Sequence, residues 1–167
     1  MAGAHTLAET ERQVSDRLKG MTIDFKAMAV TSNLFRAATA VRNHLERSVL
    51  APHDLSWTAF VVLWVVWIWE PIETRQIAAE GGFSKATLTG VLSTLENRKL
   101  AVRKKSSSDG RLVLVELTPA GRKLMKELFP EFNAQEQFVA KALEASLQDA
   151  TADALRKITA NIEANEQ

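Results

Sequence analysis

The stretch Phe83-Ser-Lys-Ala-Thr-Leu-Thr-Gly-Val-Leu-Ser-Thr-Leu-Glu-Asn-Arg98 decides how this chain folds. Ser84 is an N-cap residue, because a short hydroxyl can accept a free amide hydrogen of a first helical turn. The spacing after it predicts a helix from Lys85 to Arg98, with Leu88, Val91, Leu92 and Leu95 gathered on one side. Opposite them stand Ala86, Gly90, Ser93 and Asn97, flanked by Thr87, Thr89 and Thr94. A face that serves only solubility would carry Glu and Lys. This one is small, polar and uncharged, and suits close approach to a surface of mixed donors and acceptors, such as base edges in a major groove.

Upstream, Gly81-Gly82 makes a sharp turn, and Thr74 is read as the cap of a short helix, Arg75 to Glu80, with Ile77 and Ala78 turned inward. Ser56 caps a further helix, Trp57 to Trp69, that is apolar on every face and so expected to be buried all round. Its tryptophans are read as core. Glu70-Pro71 stops it, and Ile72-Glu73 is long enough only for a minor strand. A long helical pattern fills Thr22 to about Leu50, ended by Pro52, since the residue before a proline is driven from the helical region. Residues 1–20 are read as a mobile arm or a short helix packing on a partner subunit.

Downstream, Ala101 to Lys105 and Leu112 to Leu117 read as strands, and the Asp109-Gly110 pair between them is a strong hairpin signal. Thr118-Pro119 opens a helix with a cap residue and a proline at its first position. It runs through Leu124, Leu128, Phe132 and Phe138 to about Ala145, with a kink expected at Pro130. Ser146 begins a last helix with Leu147, Ala154, Leu155, Ile158 and Ile162 inward. Short helix, glycine turn, helix, basic hairpin is the order of a winged helix-turn-helix. The fold class is thus mainly α with a small β-hairpin wing. A winged helix-turn-helix lobe occupies 56–118, a helical dimerisation region occupies 22–55 and 119–167, and the N-terminal arm or short helix is 1–21.

Charge is placed, not spread. The net charge is +1, yet six basic residues lie between Arg98 and Arg111 (Arg98, Lys99, Arg103, Lys104, Lys105, Arg111) against the single acid Asp109. Such a stripe is either a solvated hairpin or an electrostatic footprint for a polyanion. Arg103 and Lys104 are candidate DNA contacts on the second reading, Lys104 to phosphate. The absence of cysteine excludes disulfides, thiolate metal sites and thiol redox sensing. His5, His44 and His53 lack metal-ligand spacing, and no cofactor is called for. The most apolar run, Ala59 to Trp69, is shorter than the roughly 20 residues a spanning helix needs. With no secretory signal pattern at the N-terminus, the expectation is a cytoplasmic protein with no membrane association.

The stretch from Phe83 to Arg103, followed by Ser108-Asp-Gly-Arg-Leu-Val-Leu-Val-Glu-Leu-Thr-Pro-Ala-Gly121, resembles the MarR family of bacterial regulators over roughly residues 25–165. The family's wing pattern is Asp-x-Arg, alternating aliphatics, then Leu-Thr-x-x-Gly. Here it is met by Asp109, Arg111, Val113, Val115, Leu117, Thr118 and Gly121. The resemblance implies a homodimer whose first and last two helices interlock, acting on double-stranded DNA at a palindromic operator, with repression the expected outcome. It carries DNA contacts onto Ser84, Lys85, Ala86, Thr87 and Gly90, joined by Thr89 and Ser93 on the same face, and onto Arg111 in the wing, held by Asp109. It also implies a small aromatic acid effector, for which Arg36, His44, His53, Trp57 and Trp64 are the candidate residues. Two positions depart from the pattern. Gly90 stands where a longer polar side chain is usual, and Lys99-Leu100 stands where the family has Gly-Leu, which puts the turn geometry there in doubt.

Two other classes compete. A winged helix can serve as a protein-interaction module, against which stand the basic wing and the uncharged outer face of residues 85–97. An enzyme would need a constellation such as Ser56, His53 and Asp54, but Gly-x-Ser-x-Gly, phosphate-binding glycine loops and metal spacings are all missing from the sequence.

Overall fold

The computed structural model describes residues 5–106 and 112–165. The chain divides into two compact units at Val41/Arg42, inside its long second helix.

In the first unit, Thr6 caps α1 (Leu7–Arg17) through a reciprocal pair with Glu9. Asp24 accepts the amide hydrogens of Lys26 and Ala27 at 2.9 and 3.0 Å and so starts α2 (Phe25–Leu45). This start lies three residues later than the periodicity suggests.

The second unit opens with the end of α2, which passes into a π-helical turn, Glu46–Leu50, and a 3-10 turn, Ala51–His53. Pro52 sits inside that 3-10 turn rather than ending the helix. The stop comes at Asp54, which takes a left-handed conformation (φ 53°) that a short polar side chain tolerates. Next, α3 (Trp57–Trp69) forms under its Ser56 cap, with Ala59 N–H donating to Ser56 Oγ at 3.2 Å. The Glu46 carboxylate takes a second free donor, Trp57 N–H, at 3.0 Å. The expectation of burial all round holds for Phe60, Val62, Leu63, Val65 and Val66 but fails at the C-terminal end, where Ile68 and Trp69 are exposed. Trp57, Trp64 and Trp67 are half-buried, so α3 is central only along part of its length.

After α3, β1 (Ile72–Glu73) precedes α4 (Thr74–Gly81), α5 (Lys85–Asn97), β2 (Ala101–Lys105) and β3 (Val113–Leu117). The three strands form one antiparallel sheet in the order β1-β3-β2, with Ile72 opposite Val115 and Ala101 opposite Leu117. Thr74 is the first helical residue of α4, not its cap. Glu73 holds the cap position, and its amide hydrogen goes to Gln76 Oε1 at 3.2 Å. Thr118 caps α6 (Pro119–Ala140), a single helix that contains Pro130 and stops before Ala145. α7 (Ala145–Glu163) starts one residue before Ser146, with Glu144 at the cap position.

The core of this unit is built from Leu50, Leu63, Val66, Ile77, Leu92, Leu95, Val115, Leu117, Met125 and Leu128, all essentially inaccessible to water. Each such side chain contributes about 1.5–3 kcal/mol relative to leaving it exposed. α7 differs. None of its residues is buried, and Leu147, Leu155 and Ile162, expected to point inward, are 50, 43 and 49 % exposed. Phe138 near the end of α6 is likewise exposed rather than packed inward.

Candidate nucleic-acid interface

α5, the candidate recognition helix, is held at both ends by its own chain. At its start, Ser84 Oγ accepts Thr87 N–H at 3.1 Å, and the Ser84 and Thr87 hydroxyls lie 2.8 Å apart. Gly82 makes the preceding turn in the left-handed region (φ 64°), where glycine meets no Cβ penalty. At its end, Lys99 N–H donates to Glu96 O at 2.8 Å and Leu100 N–H to Leu95 O at 2.9 Å, with Lys99 itself at φ 58°. This is the paired bonding of a Schellman C-cap, whose turning residue is usually glycine. The lysine therefore adopts the conformation that the family's glycine would supply, and the doubt raised by Lys99-Leu100 is resolved in favour of an unchanged turn.

Between these ends Leu88, Leu92 and Leu95 are buried and Val91 is half-buried, as the wheel requires. Lys85, Ala86, Thr87, Thr89, Gly90 and Thr94 are exposed, and Ser93 is half-exposed. The hydroxyl protons of Thr89, Ser93 and Thr94 are donated to the carbonyls of Lys85, Thr89 and Gly90 at 2.8, 3.0 and 3.1 Å. What these side chains turn outward is therefore acceptor oxygen. A Cβ at Gly90 would meet nothing within 4 Å, so the centre of the face is open to a close approach.

Next to this face α4, α5, β2 and β3 enclose a cleft of about 680 Å³. Ala78, Leu88, Leu92 and Val113 line it along with the basic residues Arg75, Lys85, Arg103, Lys104 and Lys105. Its cations are not equivalent. Arg75 Nε lies 2.5 Å from Glu73, Lys104 Nζ lies 2.7 Å from Glu116, and Arg103 grips Glu96. Among the described residues Lys85 and Lys105 have no carboxylate at ion-pair distance. Arg98, read as part of the basic stripe, points back into the protein and donates to the carbonyls of Asp54 at 2.6 Å and His53 at 2.8 Å. The hairpin tip with Asp109 and Arg111 lies outside the described residues.

Glu70, which the sequence offered only as part of a helix stop, joins three elements. Its carboxylate accepts Leu117 N–H at 2.6 Å and Arg122 Nε at 2.7 Å, tying the end of α3 to β3 and α6. No local pattern announces such a bond, because its partners are 47 and 52 residues away.

Four of the five candidate effector residues lie along α6. His44 Nε2 is 2.9 Å from Gln135 Oε1, and its ring stacks on Phe138 at 5.2 Å. His53 faces Glu131 at 3.8 Å. The Trp57 ring lies 6.3 Å from Phe132, and Trp64 stacks on Phe129 at 4.7 Å. Arg36 is exposed and belongs to the first unit.

A capped recognition helix, a glycine turn before it and a three-stranded sheet carrying a basic hairpin define a winged helix-turn-helix DNA-binding protein. Comparison with known proteins agrees. The MarR family profile matches residues 55–113. The helix-turn-helix-type transcriptional regulator YwaE of Bacillus subtilis is 34% identical over 159 residues, covering 93% of each chain. The solved structure of AbsC, a MarR family regulator from Streptomyces coelicolor, superimposes with a TM-score of 0.77 over 86% of this chain and 98% of that one, at 19% identity. BpsR of Bordetella bronchiseptica gives 0.71 over 78% and 92%, at 28% identity. The chain belongs to the MarR family. It is a helix-turn-helix transcription regulator that binds DNA, and not an enzyme. Among the described residues no single helix is long and apolar enough to cross a membrane.

Proposed function

We propose that this regulator works in the cytoplasm as a homodimer, represses from a pseudo-palindromic operator, and is released from it by a small aromatic acid. The observation that carries the dimer is α7, a nineteen-residue helix with no buried residue and an apolar row, Leu147, Leu155 and Ile162, open to water. Phe138, Val30 and Phe35 add to the exposed apolar surface. Soluble monomers rarely keep such area uncovered. A two-fold partner built from 22–55 and 119–167 would cover it and set two recognition helices about 34 Å apart, one turn of DNA.

On the DNA, Ser84, Lys85, Ala86, Thr87, Thr89, Gly90 and Ser93 meet the major groove. The outward hydroxyl oxygens suit the amino groups of adenine and cytosine. Lys104 meets phosphate, and Arg111, steadied by Asp109, enters the adjacent minor groove, where a narrow A·T tract concentrates negative potential. The effector reading is supported by BpsR, whose DNA binding is regulated by 6-hydroxynicotinic acid, and by the aromatic and imidazole surface that His44, His53, Trp57 and Trp64 form with α6.

Sedimentation of the full chain at micromolar concentration tests the dimer, and deletion of 147–167 should abolish both dimerisation and operator binding. A monomer that still binds a palindrome tightly would overturn it.

A further inference from the structure

Three of the cations that the sequence places in a DNA-facing stripe are bonded within the protein, and one of them is bonded in a way that joins the two reading elements. Arg103 Nε lies 3.0 Å from each carboxylate oxygen of Glu96, and Nη2 lies 2.5 Å from Oε2. The backbone N–H of Arg103 also donates to Glu96 Oε1 at 3.1 Å. Glu96 belongs to the last turn of the recognition helix, and Arg103 is the middle residue of β2. In the sheet order β1-β3-β2, β2 is an edge strand, and Arg103 stands opposite Val115. Glu96 therefore closes an open sheet edge by main chain and side chain together, a stronger tie than an exposed ion pair of flexible side chains.

We infer that Arg103 is a positioning residue, not a phosphate contact: the Glu96–Arg103 clamp sets the wing against the recognition helix so that both engage one DNA site together. Charge supports this assignment. The pair is neutral as a unit, and a carboxylate beside a phosphate is repelled unless its partner cation stays with it. An Arg103 that turned to the DNA would leave Glu96 facing the same polyanion and would release the edge amide. Lys85 and Lys105, without carboxylate partners among the described residues, line the same cleft and reach phosphate without giving up a carboxylate, whereas Lys104 has to exchange Glu116 for it and gives up no backbone bond in doing so. The inference rests on the DNA-binding mode proposed above.

The test uses the full chain, a duplex selected from random DNA by the wild-type protein, and a random duplex of the same length. Affinities are measured across a salt series for Arg103→Ala, Arg103→Lys and Lys85→Ala. Removing a cation that neutralises a phosphate lowers the slope of log affinity against log salt by about one ion and weakens all sequences alike. Arg103→Ala is expected to weaken the selected site about tenfold, keep the salt slope, and weaken the random duplex much less, by no more than the repulsion of the bared Glu96 carboxylate. Arg103→Lys, which keeps the charge but cannot grip a carboxylate with two parallel donors, is expected to lose nearly as much. Lys85→Ala is expected to lower the slope. A slope lowered by Arg103→Ala, wild-type affinity in Arg103→Ala, or full rescue by Arg103→Lys would overturn the inference. A wild-type chain that selects no sequence would instead overturn the DNA-binding mode beneath it.

Discussion

A Cβ placed on Gly121 would lie 2.0 Å from the carbonyl oxygen of Leu100. That oxygen already accepts Thr118 N–H at 3.0 Å, while the Thr118 hydroxyl donates to Lys99 O at 2.6 Å and accepts Gly121 N–H at 3.0 Å. The Thr-x-x-Gly pattern is thus a joint: the threonine caps α6 and clasps the turn after α5, and the glycine lets the two backbones meet. Gly121→Ala is expected to lower stability by about 3 kcal/mol, the upper end of the usual cost of overpacking. Urea unfolding measures it, and a variant as stable as the parent would show that the joint yields.

Lys99 is the reverse case. A side-chain-bearing residue sits at φ 58° in a cap that glycine normally fills. Lys99→Gly removes the strain of the left-handed conformation while leaving the hydrogen bonds of the turn in place. The expected gain is about 1 kcal/mol, seen as a raised Tm. Lys99→Ala should bring no such gain, which separates relief of backbone strain from loss of charge.

Glu96 gives a pH dependence whose sign is fixed. The Arg103 guanidinium, bonded directly to its carboxylate, holds Glu96 below its ordinary value of 4.5 and raises Arg103 in turn. A carboxyl lowered in the folded state binds its proton more readily when unfolded, so its contribution is complete above the ordinary value and disappears as pH falls through the folded one. The stability difference between the wild type and Glu96→Gln should therefore be constant from pH 6 to 8, within the range set by about one ion pair, and shrink in acid below 4.5. Urea titrations at several pH values decide it. A difference that grows in acid would contradict the assignment.

Thr87 and Gly90 are exposed and away from the buried leucines, and Gly90 has open space where a side chain would go. Thr87→Ala and Gly90→Leu should each alter the selected DNA sequence while changing stability by less than about 1 kcal/mol. Selection from random DNA provides the readout. Recovery of the wild-type consensus by both variants would mean that bases are read by another face.

The sequence by itself determined the elements and their order. Ser56, Ser84 and Thr118 cap the helices they were expected to cap, because a cap is a bond within three residues and is written locally. The period of Leu88, Leu92 and Leu95 likewise fixed which face of α5 is buried. Local rules erred where two neighbours could both serve, as with Thr74 and Glu73, or where the helix widened and then tightened before Asp54 instead of stopping at Pro52. The tertiary structure alone decided the partners of the charges. Arg98 and Arg103 look alike in a basic stripe, yet one holds the loop carbonyls of His53 and Asp54 and the other holds Glu96. No periodicity encodes such a choice, because a charge selects its partner by distance in the folded chain, and folding is what brings residues 44 or 45 positions apart within 3 Å.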